Sequence, residues 1–241
     1  MLAIFKREFK SYFQNVIGWL FVAALLAVYG LYFYVYNLKN GYPYISYDLN
    51  GIGFIMMIAV PILTMRSLSD EKKTKTDQLM LTSPVSVGRI VAGKYFAMAA
   101  VYTIVIALFA LSPLVLSIYG KVALSEAYVA LFGYWLYGLS CIAVGLFISS
   151  ISESVIISAI LTFTALFLSY MMQSITGLIS SSGNLLTKVL NCFDLYTPFE
   201  NFVSGCFSVT SAAYYVTVIL LLCFLTCLLY TSPSPRDGAT S

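Results

Sequence analysis

The chain has 241 residues, 60% of them hydrophobic and only 10% charged, with a formal net charge of +3. An ordinary soluble domain carries roughly 25% charged residues, so this chain lacks the polar groups to cover a water-facing surface, and a soluble fold is excluded. It contains no histidine, which removes the commonest general base, the serine–histidine triads and the usual zinc motifs, so neither a catalytic set nor a metal site is expected.

Residues 1–15 form an amphipathic segment. Leu2, Phe5, Phe9, Tyr12 and Phe13 recur at intervals of three and four, while Lys6, Arg7, Lys10 and Gln14 take the other face. The pattern predicts a helix in the membrane interface, its aromatic side in the acyl boundary and its basic side against anionic headgroups. Apolar blocks follow at 16–36, 49–65, 95–118, 128–148, 155–179 and 212–230. A block of about twenty residues crosses ~30 Å of hydrocarbon as a helix, whose backbone groups are bonded internally. The second block is short and carries Asn50, Gly51, Gly53 and Pro61, which predicts a broken or tilted helix, or a start nearer Tyr44. Pro113 predicts a kink in the third. The first block is too long for a signal-peptide core, and no small-residue cleavage site follows it.

Basic residues are unevenly spread. Lys6, Arg7 and Lys10 precede the first block, and Arg66, Lys72, Lys73, Lys75, Arg89 and Lys94 lie between the second and third; the opposite loops hold only Lys39, Lys121 and Lys188. Basic loops stay in the cytoplasm, so both termini are expected there. The net positive charge follows from that bias and implies no nucleic-acid partner.

The loop between the second and third blocks is the one long, charged, helix-capable stretch. Ser69, Asp70 and Glu71 supply an N-cap and acidic first turn for a helix through Lys72, Lys73 and Lys75 to Leu79, Met80 and Leu81, which Thr82-Ser83-Pro84 ends. Ser86 then caps a second helix over 87–94. The leucine cluster has no membrane to enter and needs a protein partner or the bundle's own surface. Gly88 to Lys94 satisfies G-x-x-x-x-G-K, but Tyr95 follows where a phosphate loop needs Ser or Thr, and no strand precedes it. Any ATP is therefore expected on another chain.

The carboxylates Asp48, Glu126, Glu153, Asp194 and Glu200 read as loop residues, leaving no span with the buried acid of many proton-coupled carriers. Gly133, Gly138, Gly145 and Ser149 allow close helix packing or dimer contact. In the last long loop, 194–202 reads as a turn and a short amphipathic helix along the outer surface. Cys192 and Cys206 share that loop, and their spacing leaves a disulfide open; Cys141 and Cys223 read as buried packing residues. No repeat of twenty to fifty residues is visible, and no separate soluble domain is expected.

The central loop reads Arg66-Ser67-Leu68-Ser69-Asp70-Glu71-Lys72-Lys73-Thr74-Lys75-Thr76-Asp77-Gln78-Leu79-Met80-Leu81-Thr82-Ser83-Pro84-Val85-Ser86, with Gly93-Lys94 beyond. It resembles the membrane subunit, or permease, of type-2 ABC transporters, including the gliding-motility permease branch. The family pattern is an arginine after the second span, an acidic-basic cluster, Thr-acid, a leucine run, Thr-Ser-Pro-Val-Ser, and Gly-Lys before the third span. Lys6-Arg7-Glu8-Phe9-Lys10-Ser11-Tyr12-Phe13 is similar to the family's elbow helix, and 195–202 to its external motif before the last span. Lys75 stands where many members have glycine, and Gln14-Asn15 replaces the usual Ser-Pro; both departures bear on subfamily.

The resemblance implies an all-α polytopic membrane protein with about six transmembrane helices, an N-terminal interfacial elbow helix (Lys6, Arg7, Phe9, Phe13) and a cytoplasmic coupling helix. It implies that Arg66, Glu71, Thr76, Asp77, Leu79, Leu81 and Pro84 couple the chain to a cytosolic ABC ATPase. ATP and magnesium would sit on that partner, with no cofactor on this chain. A second permease copy would complete an exporter in the bacterial inner membrane. The alternatives are an ATP-independent carrier or channel and a membrane scaffold. Finally, Cys227-Leu228-Leu229-Tyr230-Thr231-Ser232-Pro233-Ser234-Pro235-Arg236-Asp237 resembles the conceptual translation of a transposase-type sequencing adapter. The expected division is a transmembrane domain over 1–226 and a non-native tail over 227–241.

Overall fold

Apolar runs leave the backbone no hydrogen-bond partner but itself, and most of the described residues are helical. The computed structural model describes residues 2–74, 86–119, 122–179 and 193–231, and no strand occurs among them. The helices are α1 (Leu2–Gln14), α2 (Val16–Tyr32), α3 (Ile45–Thr64), α4 (Ser69–Thr74), α5 (Val87–Phe109), α6 (Ser112–Tyr119), α7 (Leu124–Ile151), α8 (Val155–Ile179), α9 (Thr197–Val203) and α10 (Val209–Thr231). A π-helical turn, Phe33–Lys39, prolongs α2. Among the described residues, six segments are long and apolar enough to cross a membrane: Val16–Lys39, Ile45–Lys73, Val87–Tyr119, Leu124–Ile151, Val155–Met172 and Val209–Thr231. The protein is an all-α, multi-pass membrane protein.

α3 begins at Ile45 and runs unbroken through Pro61. Its early start corrects the sequence reading of Asp48, which lies inside the helix with none of its surface exposed. Glu126 and Glu200 are likewise helical, in the first turns of α7 and α9. The expected break in the third span falls at Ala110 and Leu111, between α5 and α6. Pro113 lies in the first turn of α6, where its missing N–H has no intrahelical partner to lose.

α7 is the central helix. It packs on α3, α5, α8, α9 and α10 and buries residues on every side, as a helix apolar all round should. Its glycines admit three different neighbours. A Cβ at Gly133 would strike Phe202 of α9, at Gly138 Tyr102 of α5, and at Gly145 Thr64 of α3. The small residues thus serve packing within this chain, and the Tyr102 hydroxyl crosses the same gap to donate to the Tyr134 carbonyl at 2.7 Å.

The segment before the last span also differs from expectation. α9 does not lie along the outer surface: Phe199 and Phe202 are fully buried, and the helix inserts against α7 and α3. The i, i+3 aromatic stripe finds an apolar slot that Gly133 leaves open. Cys206 is exposed; Cys192, and with it the bridge considered between the two, lies outside the described residues. α10 passes the 226/227 junction and reaches Thr231, and the rest of that tail lies outside the described residues.

Candidate functional site

The basic residues before α2 and between α3 and α5 gather at one end of the bundle, and there a lysine is buried. Lys94, in the second turn of α5, is 2% exposed. A buried ammonium is tolerated only when its protons find acceptors. Lys94 Nζ donates to Glu71 Oε1 at 2.6 Å, to the Ser67 carbonyl at 2.9 Å and to Glu8 Oε1 at 3.4 Å. One cation thereby joins α1, the turn after α3, α4 and α5. Tyr230 of α10 adds a longer contact, donating to Glu71 Oε2 at 3.4 Å.

Two features let α1 reach this lysine. Gly93 lies beneath Ile4, so close that a Cβ there would stand 3.0 Å from its Cγ2. Tyr12, one turn beyond Glu8, donates to the Leu63 carbonyl at 3.4 Å. Burial, with Glu8 beside it, raises the Tyr12 phenol well above its ordinary range, so it remains a donor. Phe9, Tyr12 and Phe13 are half-buried against the core. The aromatic side expected in the acyl boundary thus rests in part on the bundle, because Glu8 shares that side and is drawn to Lys94. Lys6, Arg7 and Lys10 remain exposed.

α4 is fastened to α7 by reciprocal caps. The N–H groups of Leu68 and Ser69 both donate to Ser149 Oγ at 3.1 Å, satisfying donors that a helix start leaves unbonded. In return Lys72 Nζ donates to the Ser150 carbonyl at the end of α7, where a cation also complements the helix dipole. Ser69, read from sequence as the N-cap, is instead the first helical residue, and its hydroxyl turns back to the Met65 carbonyl. Ser86 does precede α5, but its side chain makes no capping bond. Arg66 and Asp70 form a half-exposed pair at 3.7 Å.

Between α1 and α4 lies a cleft of about 470 Å³, lined by Arg7, Glu8, Tyr12, Arg66, Asp70 and Lys94 among others. Its charges are mixed, and no metal-binding cluster occurs among the described residues. The arrangement is suited to holding helix ends together and to passing a displacement from one to the next.

Of the residues singled out from sequence, Arg66 and Glu71 are at this junction. Arg7 pairs with its neighbour Glu8 at 2.8 Å. Thr76, Asp77, Leu79, Leu81 and Pro84 lie outside the described residues. Sequence reasoning missed Lys94 as a buried hub, and with it Glu8, Ser149 and Lys72. The usable signal was a lysine beside a glycine at the edge of a span, with acids at Glu8 and Glu71 on two other segments.

A family model described as "ABC-2 family transporter protein" matches residues 33–232. No curated protein matches the chain.

Proposed function

We infer from its family, since this chain belongs to the ABC-2 family of transporter proteins, that it is the permease of an ATP-driven exporter whose ATPase is a separate, cytosolic chain. The membrane subunit carries the translocation path and does no chemistry of its own. ATP and magnesium are held by the partner. The basic end faces the cytoplasm of a bacterial cell with both termini, as the bias of Lys and Arg favours. A second permease copy, identical or related, supplies the other half of the path.

The observation that carries the coupling step is the Lys94–Glu71 pair, buried at the lysine and 2.6 Å long. α4 leads into residues 75–85, where Thr76, Asp77, Leu79, Leu81 and Pro84 form the proposed ATPase-docking element. Its root is tied to α5 through Lys94, to α1 through the shared lysine, and to α7 through Ser149 and Lys72. A push on the docking element therefore moves several helix ends together. Arg66 and Glu71 stand at that root, and α1 holds it at the interface through Lys6, Arg7, Phe9 and Phe13.

Affinity purification from gently solubilised membranes tests this reading. The expected result is a stoichiometric soluble ATPase with the unaltered chain and its loss in Leu79→Asp/Leu81→Asp, with membrane insertion unchanged. Recovery of the unaltered chain without ATPase, where comparable complexes survive, would favour an autonomous carrier or scaffold.

A further inference from the structure

At the end of the bundle away from Lys94, the π-helical turn after α2 brings Asn37 against α3, where its Nδ2 donates to Asp48 Oδ2. Asn37 is 5% exposed and Asp48 is 0% exposed. The other oxygen of each side chain, Asn37 Oδ1 and Asp48 Oδ1, is buried and accepts no hydrogen bond. No ion pair reaches Asp48 among the described residues.

An ionised carboxylate is an acceptor only, and an amide oxygen is an acceptor only. If Asp48 were ionised, its charge would be buried with a single donor, beside a second unsatisfied oxygen; neutralisation is the usual outcome for such a group. One proton resolves both defects. We propose that Asn37 and Asp48 form a reciprocal acid–amide pair that binds one proton at the junction of the first two spans. Asp48 Oδ1–H donates to Asn37 Oδ1, and Asn37 Nδ2–H donates to Asp48 Oδ2. Both orphaned oxygens are then satisfied with no third partner.

Among the described residues, the surroundings offer no substitute for that proton. Tyr29 of α2 is engaged with Ser112, Tyr32 lies over Gly51, and the Tyr196 hydroxyl is taken by Asn50. Glu200 of α9 is also acidic, and Lys39, in the last turn of the π-helical segment, is exposed. Loss of the proton sets a buried charge against an amide oxygen and removes one of the two bonds that fasten the π-turn to α3. The pair is thus a proton-dependent latch, and an ionisable side chain inside a span is a functional group by default. This inference stands apart from the transport reading.

Infrared spectroscopy of the protein in lipid nanodiscs at neutral pH tests it, comparing the unaltered chain with Asp48→Asn. Asparagine keeps the shape and offers the same two-way hydrogen bonding without a titrating proton, so folding is preserved. The expected result is a protonated-carboxyl carbonyl band that is lost in Asp48→Asn, with melting of both forms insensitive to sodium. Absence of a difference band shows an ionised Asp48 and overturns the proposal. Melting that rises with sodium in the unaltered chain but not in Asp48→Asn also overturns it, assigning the oxygens to a cation.

Discussion

The two ends of this bundle are fastened by different chemistry. At the basic end, Lys94, Glu8, Glu71, Ser149 and Lys72 hold helix termini through a handful of directional bonds. At the other end, α9 is held mainly by packed rings: Phe199 lies 5.7 Å from both Tyr134 and Tyr137, and Phe202 packs on Phe132 and Phe207. Polar contacts beside α9 aim the helix. Asp194 Oδ1 accepts the N–H groups of Tyr196 and Thr197 at 2.9 and 3.0 Å, and Tyr215 donates to the Leu195 carbonyl at 2.7 Å. Dense apolar packing resists small displacement, whereas a charge shared among several acceptors can exchange them as helices shift. On the proposed coupling reading, the contrast places motion at the basic end and a fixed pivot at the packed rings of α9.

The largest expected effect lies at the pivot. Phe199→Ala removes a fully buried ring from the Tyr134–Tyr137 cluster and should cost about 3–5 kcal/mol, read as a fall in melting temperature of the purified protein. Association with the proposed ATPase should persist in whatever fraction folds. Lys94→Met comes next. It takes the buried cation from between Glu8 and Glu71 and leaves Glu8 its pair with the exposed Arg7, and both carboxylates are 16% exposed. Water therefore offsets part of the penalty, and roughly 2–3 kcal/mol is expected where full burial would give 3–5. Its distinguishing readout is uncoupling: ATP hydrolysis by the proposed complex should continue while transport falls. If Phe199→Ala uncouples and Lys94→Met does not, the assignment of pivot and moving end is reversed.

How far these ends were legible in the sequence follows from the same contrast. Uninterrupted apolar length is a local property, so α8 falls where its apolar run predicts, Val155–Ile179, and the break near Pro113 follows from one residue's missing N–H. Asp48 escaped because a hydrophobic block begins only at Leu49, while the helix starts a turn earlier. Phe199 and Phe202 were read as one face of an amphipathic helix, yet the same i, i+3 stripe serves a membrane surface or a protein slot. Only Gly133, far along the chain, decides between them. Lys94 reads as a solvated loop cation until the acids of α1 and α4 are brought to it. What the sequence conceals is the meeting of distant residues, and the junction at the basic end is built from little else.

Ser149→Ala sharpens that point with the smallest effect. Ser149 Oγ receives two N–H groups from residues about eighty positions away, so alanine leaves both donors of the α4 start unbonded without disturbing α7 itself. Loss of a capping side chain costs about 1–2 kcal/mol, here confined to a six-residue helix that contributes little to the core. The melting temperature should hardly move. Amide exchange over 68–74 should accelerate by roughly tenfold for each 1.4 kcal/mol lost, while exchange in α9 stays as it was. Ser149→Thr, which keeps the hydroxyl, should restore protection. Equal acceleration at both ends would mean that the two fastenings are one cooperative unit, and the division of labour between them would have to be given up.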